Sequence, residues 1–340
     1  MRKIAVLTSG GDAPGMNACI RAIVLTAEHF GIQVIGYKHG FNGLLEQEYL
    51  PLKSKNVANI IQRGGTILRS ARCLTFKTDD AAKIAAKNLN AIGIEALLII
   101  GGDGSFRGAS HLSKHWQGQV IGLPGTIDND IFGTDATIGY YTAIETALDS
   151  IDKVRDTADA FERIFLVEVM GRHAGFIGLN AALASASDQV LVPELCTDLD
   201  TEMDNIVSHL QAAMNKRGNC SYIIVTAENL WPGGVTNLAQ ILHEKTKLEC
   251  RPVILGHVQR GGSPVSQDRI LATKLGAYAV EQAIAGKTNI MVAEQNNILL
   301  VHPIEVSWQQ RKPLDPYLVK IQQEFFDITK HASQVMEPKD

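Results

Sequence analysis

Residues 96–105 read ALLIIGGDGS, and the change of character within this stretch decides the fold. Ala96 to Ile100 is an unbroken aliphatic run of strand length, the composition of a parallel strand covered on both faces. It passes into Gly101, Gly102, Asp103, Gly104 and Ser105, after which apolar residues return at helical spacing. Strand, glycine loop and helix make half of a βαβ unit. The loop falls at the strand's carboxyl end, where open parallel sheets collect ligands. Three glycines in one loop are entropically poor unless something must lie against the backbone. The one carboxylate suits Mg²⁺, which keeps several waters and takes one or two carboxylates beside substrate phosphates.

Toward the N-terminus the same pattern recurs. Ile4 to Leu7 is a short aliphatic run followed by TSGGDAPG, and from Met16 a helix is expected with Ile20, Ile23, Val24 and Ala27 on one face. Unpaired N–H groups at such a helix start favour anions, and Gly11 lets a ligand approach the backbone. Val34 to Tyr37 is a further strand and Val57 to Ile61 the end of a short helix. LRSARC then places Arg69 and Arg72 in a glycine-led loop, where paired guanidinium groups can clamp phosphate oxygens.

Toward the C-terminus, Val120 to Leu123 runs into PGTIDND, residues 124–130. Its two carboxylates, Asp128 and Asp130, fit a helix or turn cap as well as they fit catalysis on this segment alone. Asp135 is expected to start a long helix carrying Ile144, Ala147, Leu148, Ile151 and Val154 into a second domain. Strands follow at Ile164 to Val169, Val190 to Val192, Tyr222 to Ala227 and Pro252 to Leu255. The first closes on MGRHAG and the last on GHVQRGGSP. A lone His257 would ordinarily be a satisfied loop residue, but beside Arg260 and two glycines an anion pocket is the better expectation. A helix over 268–285 stops at Gly286, and Asp315–Pro316 caps a last one. The strand–helix alternation occurs twice, so the expected class is α/β, with two doubly wound Rossmann-like domains of mainly parallel sheet facing each other across an active-site cleft.

Bulk properties narrow the chemistry. A chain of 340 residues exceeds what one hydrophobic core supports, and 45% hydrophobic with 20% charged residues is ordinary for a globular protein. A net charge of −4 offers no basic excess for nucleic acid or an anionic membrane, so neither is an expected partner and a small phosphorylated ligand is favoured. MRKIAVLTSGG is too short an apolar run for a secretory signal, and a soluble, cytoplasmic protein is expected. Cys19, Cys73, Cys196, Cys220 and Cys250 are far apart and read as reduced thiols. The ten histidines are read as lacking the paired i, i+4 spacing of a helical zinc site, so a structural metal is not expected.

LTSGGDAPGMN, RGGT followed by SAR, IGGDGS, PGTIDND, EVMGRHAG and GHVQRGGSP, in this order, closely resemble the bacterial ATP-dependent 6-phosphofructokinases, from Met1 to about Gly286. The resemblance implies transfer of the γ-phosphoryl group of MgATP to the 1-hydroxyl of fructose 6-phosphate, a step of glycolysis, in a homotetramer. It implies a larger ATP-binding domain, 1–138 plus 257–304, a smaller sugar-phosphate domain, 139–256 plus 305–330, and a loose tail, 331–340. Gly11, Arg72, Cys73, Gly102, Asp103, Gly104 and Ser105 would hold ATP, with Asp103 on Mg²⁺. Thr126, Ile127, Asp128, Met170, Gly171, Arg172, Glu228, His257, Val258, Gln259 and Arg260 would line the sugar phosphate. Arg163 and Arg251 resemble the pair that a neighbouring subunit lends to the 6-phosphate.

Asp128 would be the base, with Asp130 placed to assist the metal or to hold Asp128. Gly11, Arg72, Thr126 and Arg172 would assist the reaction. Pyrophosphate-using members of the family tend to carry Asp where Gly104 stands and Lys where Gly125 stands, so both glycines point to ATP. The effector pocket of regulated members keeps Arg21 and Arg155 here. Leu25, Ser54, Lys55, Asn219, Cys220 and Ser221 replace its usual residues, and Ser185 to Asp188 replace a magnesium-holding segment. Weak or altered regulation is expected, with Lys55 or Arg217 as possible substitutes. A pyrophosphate-dependent enzyme and a non-catalytic regulatory homologue are the alternatives.

Overall fold

The computed structural model describes residues 1–196, 198–217 and 221–326, without the side chains of 217 and 326. The chain divides into two units, 1–142 with 260–312, and 143–259 with the segment after 312. Its strands are β1 Lys3–Thr8, β2 Gln33–Tyr37, β3 Tyr49–Leu52, β4 Ala96–Gly101, β5 Gln119–Pro124, β6 Ile164–Val169, β7 Gln189–Leu191, β8 Tyr222–Ala227, β9 Cys250–Ile254, β10 Ile290–Gln295 and β11 Ile298–Pro303.

In the first unit seven strands run in the order β11-β10-β5-β4-β1-β2-β3. The five inner strands are parallel, and β3 and β11 close the two edges antiparallel. Their burial explains the unbroken apolar sequences: Ile4 to Leu7 and Ala96 to Ile100 are wholly inaccessible. One core face packs Leu7, Tyr37, Leu97, Phe106, Trp116 and Val120, with Phe41 stacked on Phe76 at 4.2 Å. β2 lies on one side of β1 and β4 on the other, so the chain reverses direction across the sheet between β1 and β4. Such a switch point opens a crevice at the strands' carboxyl ends.

The second unit holds four parallel strands in the order β7-β8-β6-β9, over a core that includes Leu166, Ile206, Leu210, Ile224, Trp231 and Leu238. β6 occupies the equivalent switch position between β8 and β9. The α/β class and the two mainly parallel sheets are therefore as expected.

Several local expectations are corrected. Val57 to Ile61 forms turns after a single 3₁₀ turn at Ser54–Asn56, because Asn59 adopts a left-handed conformation (φ +54°) that ends helical winding. The long helix starts at Tyr140, not Asp135. Asp135 instead clasps the β10–β11 hairpin, donating its N–H to Glu294 O (2.9 Å) and accepting from Asn296 N (2.7 Å). The boundaries between the compact units fall at 142/143, 259/260 and 312/313, beside the expected 138/139, 256/257 and 304/305. Asp315 Oδ1 accepts from Tyr317 N at 2.8 Å and caps the helix Pro316–Phe326 as its sequence predicts. No helix among the described residues is long and apolar enough to cross a membrane. The tail 331–340 lies outside them.

Candidate functional site

The loops leaving β1, β4 and β5 are bonded to one another. Ser9 N donates to Ile100 O (3.0 Å), Ser105 Oγ to Ser9 O (3.1 Å) and Gly125 N to Gly101 O (3.0 Å). Ser70 Oγ donates to Gly10 O (2.7 Å) and Thr8 Oγ1 to Arg69 O (2.8 Å), which ties the segment bearing Arg72 to the end of β1. Arg72 is exposed and Cys73 half-buried. The Arg260 guanidinium lies over Gly11: a Cβ there would stand 2.5 Å from Nη1, which donates to Asp12 O at 3.3 Å. Gly11 and Arg260, assigned by sequence to opposite ligands, therefore meet.

PGTIDND follows β5 as a braced loop. Thr126 Oγ1 accepts from Asp128 N at 3.2 Å, and the Thr137 hydroxyl donates to Thr126 O. Asn129, left-handed at φ +54°, accepts from Thr137 N (3.0 Å) and from Lys312 Nζ (2.8 Å). The Asp128 carboxylate is only 7% exposed, Ile127 is fully buried and Asp130 is half-buried. Burial lowers the Lys312 ammonium to about 8, against the opposing pull of Asp135 and Asp130. Lys312 has no sequence signal, since it lies outside every motif.

The two donor-diagnostic glycines differ physically. A Cβ at Gly104, in the first turn of the helix Asp103–Ser113, would meet nothing within 4 Å. One at Gly125 would stand 2.7 Å from Ile100 Cγ2, so a side chain there would have to displace Ile100. Asp103 opens the same helix, where a carboxylate is favoured, with Arg107 Nε 3.7 Å away.

In the second unit, the turn after β6 is set by Glu228 at the end of β8. Its Oε1 accepts from Gly171 N (3.3 Å) and Arg172 N (2.7 Å). Gly171 has φ +146°, and a Cβ there would lie 2.5 Å from Ala174 O. Arg172 is also left-handed (φ +61°) and exposed, a strained conformation held by its neighbours. Gln259, fully buried, accepts from Met170 N at 2.7 Å and donates to Ala143 O at 3.4 Å, which makes it a strut beneath the turn. His257 and Val258 are exposed on the 3₁₀ turn Gly256–Arg260.

Arg163 and Arg251 converge on Glu249, a residue sequence reasoning missed: Arg163 Nε lies 2.7 Å from Oε2, and Arg251 also pairs with it. Both guanidinium groups hold the exposed Glu249 carboxyl below the usual carboxylate range. Arg155 donates to Ser185 O (2.7 Å) and Ala186 O (3.1 Å), and Asp188 is buried with its carboxylate accepting from Ile223 N (2.8 Å). Segment 185–188 is thus committed to the fold. Arg21 is half-buried on the helix Met16–His29, and Lys55 is exposed. Asn219, Cys220 and the Arg217 side chain lie outside the described residues.

A family model described as Phosphofructokinase matches residues 3–283. The ATP-dependent 6-phosphofructokinase 1 of Thermus thermophilus is 47% identical over 323 residues, covering 95% of this chain and 99% of its own. The ATP-dependent 6-phosphofructokinase of Bacillus licheniformis is 45% identical over 324 residues, covering 95% and 99%. The structure of phosphofructokinase from Saccharomyces cerevisiae, 30% identical, matches all of this chain with a TM-score of 0.87, and this chain spans 52% of it. The pyrophosphate-dependent phosphofructokinase of Marinobacter aquaeolei, 20% identical, shares the fold with a TM-score of 0.81, covering 96% of this chain and 91% of its own. With a matching family model over most of its length and relatives near 45% identity end to end, the chain belongs to the phosphofructokinase family.

Proposed function

We propose that the protein transfers the γ-phosphoryl group of ATP to the 1-hydroxyl of D-fructose 6-phosphate, giving fructose 1,6-bisphosphate and ADP. The observation that carries this reading is the joined set of loops after β1, β4 and β5, which brackets the buried Asp128 with glycine turns. In the reaction the sugar O1–P bond forms as the bond from the γ-phosphorus to the β,γ-bridging oxygen breaks. The hydroxyl proton passes to the Asp128 carboxylate, and Thr126 orients the loop. A loose phosphoryl transition state is stabilised by alignment and by cations on its equatorial oxygens. Arg72, Arg172 and the Gly11 N–H are suited to that work.

Asp103, partly exposed at a helix start beside the open space over Gly104, fits a Mg²⁺ ion that keeps waters and phosphate oxygens as its other ligands, with Asp130 assisting. Bound there, Mg²⁺ would neutralise charge on the phosphates. Cys73, Gly102 and Ser105 complete the nucleotide side. Met170, Gly171, Arg172, Glu228, His257 and Arg260 take the sugar phosphate. Ile127, Val258 and Gln259 support it through the backbone or by packing.

Arg163 and Arg251, held together by Glu249 on an exposed surface, are suited to the 6-phosphate of a neighbouring subunit in a homotetramer. Sedimentation showing only monomer at assay concentration would remove that role. A cytoplasmic setting is the reading carried from the sequence, whose five cysteines stand far apart.

Initial rates with fructose 6-phosphate and either donor test the reading. ATP is expected to support turnover, and activity with pyrophosphate alone would overturn it. Gly104→Asp should fold normally, since its side chain enters open space. A like charge about 4 Å from a phosphate costs on the order of 4 kcal/mol near a surface, so its KM for ATP should rise more than about tenfold. Regulation is expected to be weak. Each lost charge-assisted bond removes about 1.5–3 kcal/mol from an effector, so sub-millimolar ADP or phosphoenolpyruvate should change the rate little. Strong activation or inhibition would contradict this.

A further inference from the structure

Away from these loops, three side chains of the first unit point their ligand atoms at one spot. His111 and His115 stand four residues apart, His111 in the helix Asp103–Ser113 and His115 just beyond it. Asp79 opens the helix Asp79–Ala91 opposite them. One Oδ1 of Asp79 lies 3.4 Å from His111 Nε2 and 3.3 Å from His115 Nε2, and the three ligand atoms all fall within 4.8 Å of one another. The expectation of no histidine metal site overlooks this pair, which has the helical i, i+4 spacing.

We propose that Asp79, His111 and His115 form a binding site for a divalent transition-metal ion of the zinc class. In a tetrahedral site with bonds of about 2.0–2.1 Å, neighbouring ligand atoms stand about 3.3 Å apart. Both histidine–carboxylate distances already have that value. His111 Nε2 is buried and makes no hydrogen bond, so its lone pair or proton has no other outlet. An ion pair without metal is the competing arrangement. It would need both imidazoles to carry their proton on Nε2 and to aim it at the same carboxylate oxygen, two donors crowded on one acceptor. A metal takes both imidazoles neutral. Two imidazoles and one carboxylate select zinc, nickel, copper or cobalt over magnesium, which prefers an all-oxygen shell.

The site has a structural consequence. The helix carrying Asp79 follows the segment of Arg72 and Cys73 after the 3₁₀ helix Leu74–Lys77, and the helix carrying His111 begins at Asp103. A bound ion cross-links the two, and it stabilises the folded first unit because the ligands converge only there.

The test is zinc uptake by the full chain, stripped with EDTA and kept in excess Mg²⁺, by competition with a chromophoric chelator. Cobalt(II) absorption reports the coordination. The site predicts saturable uptake of one ion per chain at micromolar free zinc, a four- or five-coordinate cobalt spectrum and a higher Tm with zinc than without. Losing an outer partner of a metal ligand costs about 10–100-fold in affinity, and losing a ligand costs at least as much. His115→Asn and Asp79→Asn should each show that fall, with the metal-free Tm close to that of the parent. Absence of saturable uptake, or uptake that either variant retains in full, overturns the proposal.

Discussion

Asp128→Ser is expected to lower turnover by about 10²–10⁴-fold, the loss typical of removing a positioned base, while leaving sugar-phosphate affinity close to its original value. The separation of the two effects follows from how the loop is held. The proposed role of Asp128 rests on its carboxylate, whereas its backbone N–H is held by Thr126 Oγ1, and the next residue by Thr137 and Lys312. Serine keeps that backbone and removes only the proton acceptor. The cations expected on the sugar phosphate, Arg172 and Arg260, belong to other loops. Steady-state kcat and KM, with Tm as the folding control, measure the split. Near-normal turnover would remove Asp128 from the mechanism, and a large rise in KM with kcat unchanged would make it a binding residue.

The largest effect on stability is expected at Asp268. Its carboxylate, wholly inaccessible on the helix Ser266–Ile284, caps the start of the long helix Tyr140–Phe161. It accepts from Gly139 N (2.9 Å), Thr142 N (2.7 Å) and Thr142 Oγ1 (2.5 Å). Alanine would orphan these buried donors, each at about 1–3 kcal/mol, for a total loss of about 3–5 kcal/mol. In a unit of this size that is roughly 10 °C in Tm.

The group also has a pH signature. Burial raises the Asp268 carboxyl above its ordinary range, and the hydrogen bonds only partly offset this. The native state therefore holds its proton where the unfolded chain has lost it. That contribution is fully present below the unfolded value, about 4, and is lost as pH rises through the raised folded value. Relative to Asp268→Asn, the wild type should gain stability as pH falls from neutral toward 4. A flat difference across that range would show that the carboxyl is not raised.

What the sequence makes legible here is whatever local pattern alone determines. ALLII and IAVL are strands because no other element buries four or five consecutive aliphatics between two layers, and the glycine loops after them are visible for the same reason. The β10–β11 hairpin is missed although its signal is present: Asn296 and Asn297, both left-handed, join two apolar runs as a two-residue turn. Partnerships over long separations leave no such mark. Lys312 on Asn129, Asp268 on Gly139 and Glu249 between two arginines each require the fold before their charges acquire a purpose. The contact of Gly125 with Ile100 is likewise invisible in the sequence, where the glycine stands only as a residue without a side chain. Gly104 has open space where its side chain would be, which the sequence alone does not show.

The most direct test of the central claim is to follow the purified protein with fructose 6-phosphate, Mg²⁺ and ATP by phosphorus NMR. The account predicts that the γ-phosphate resonance of ATP is replaced, mole for mole, by a new sugar-phosphate resonance on carbon 1, with ADP as the other product. No new sugar-phosphate signal with ATP, or one that forms only with pyrophosphate, would contradict it.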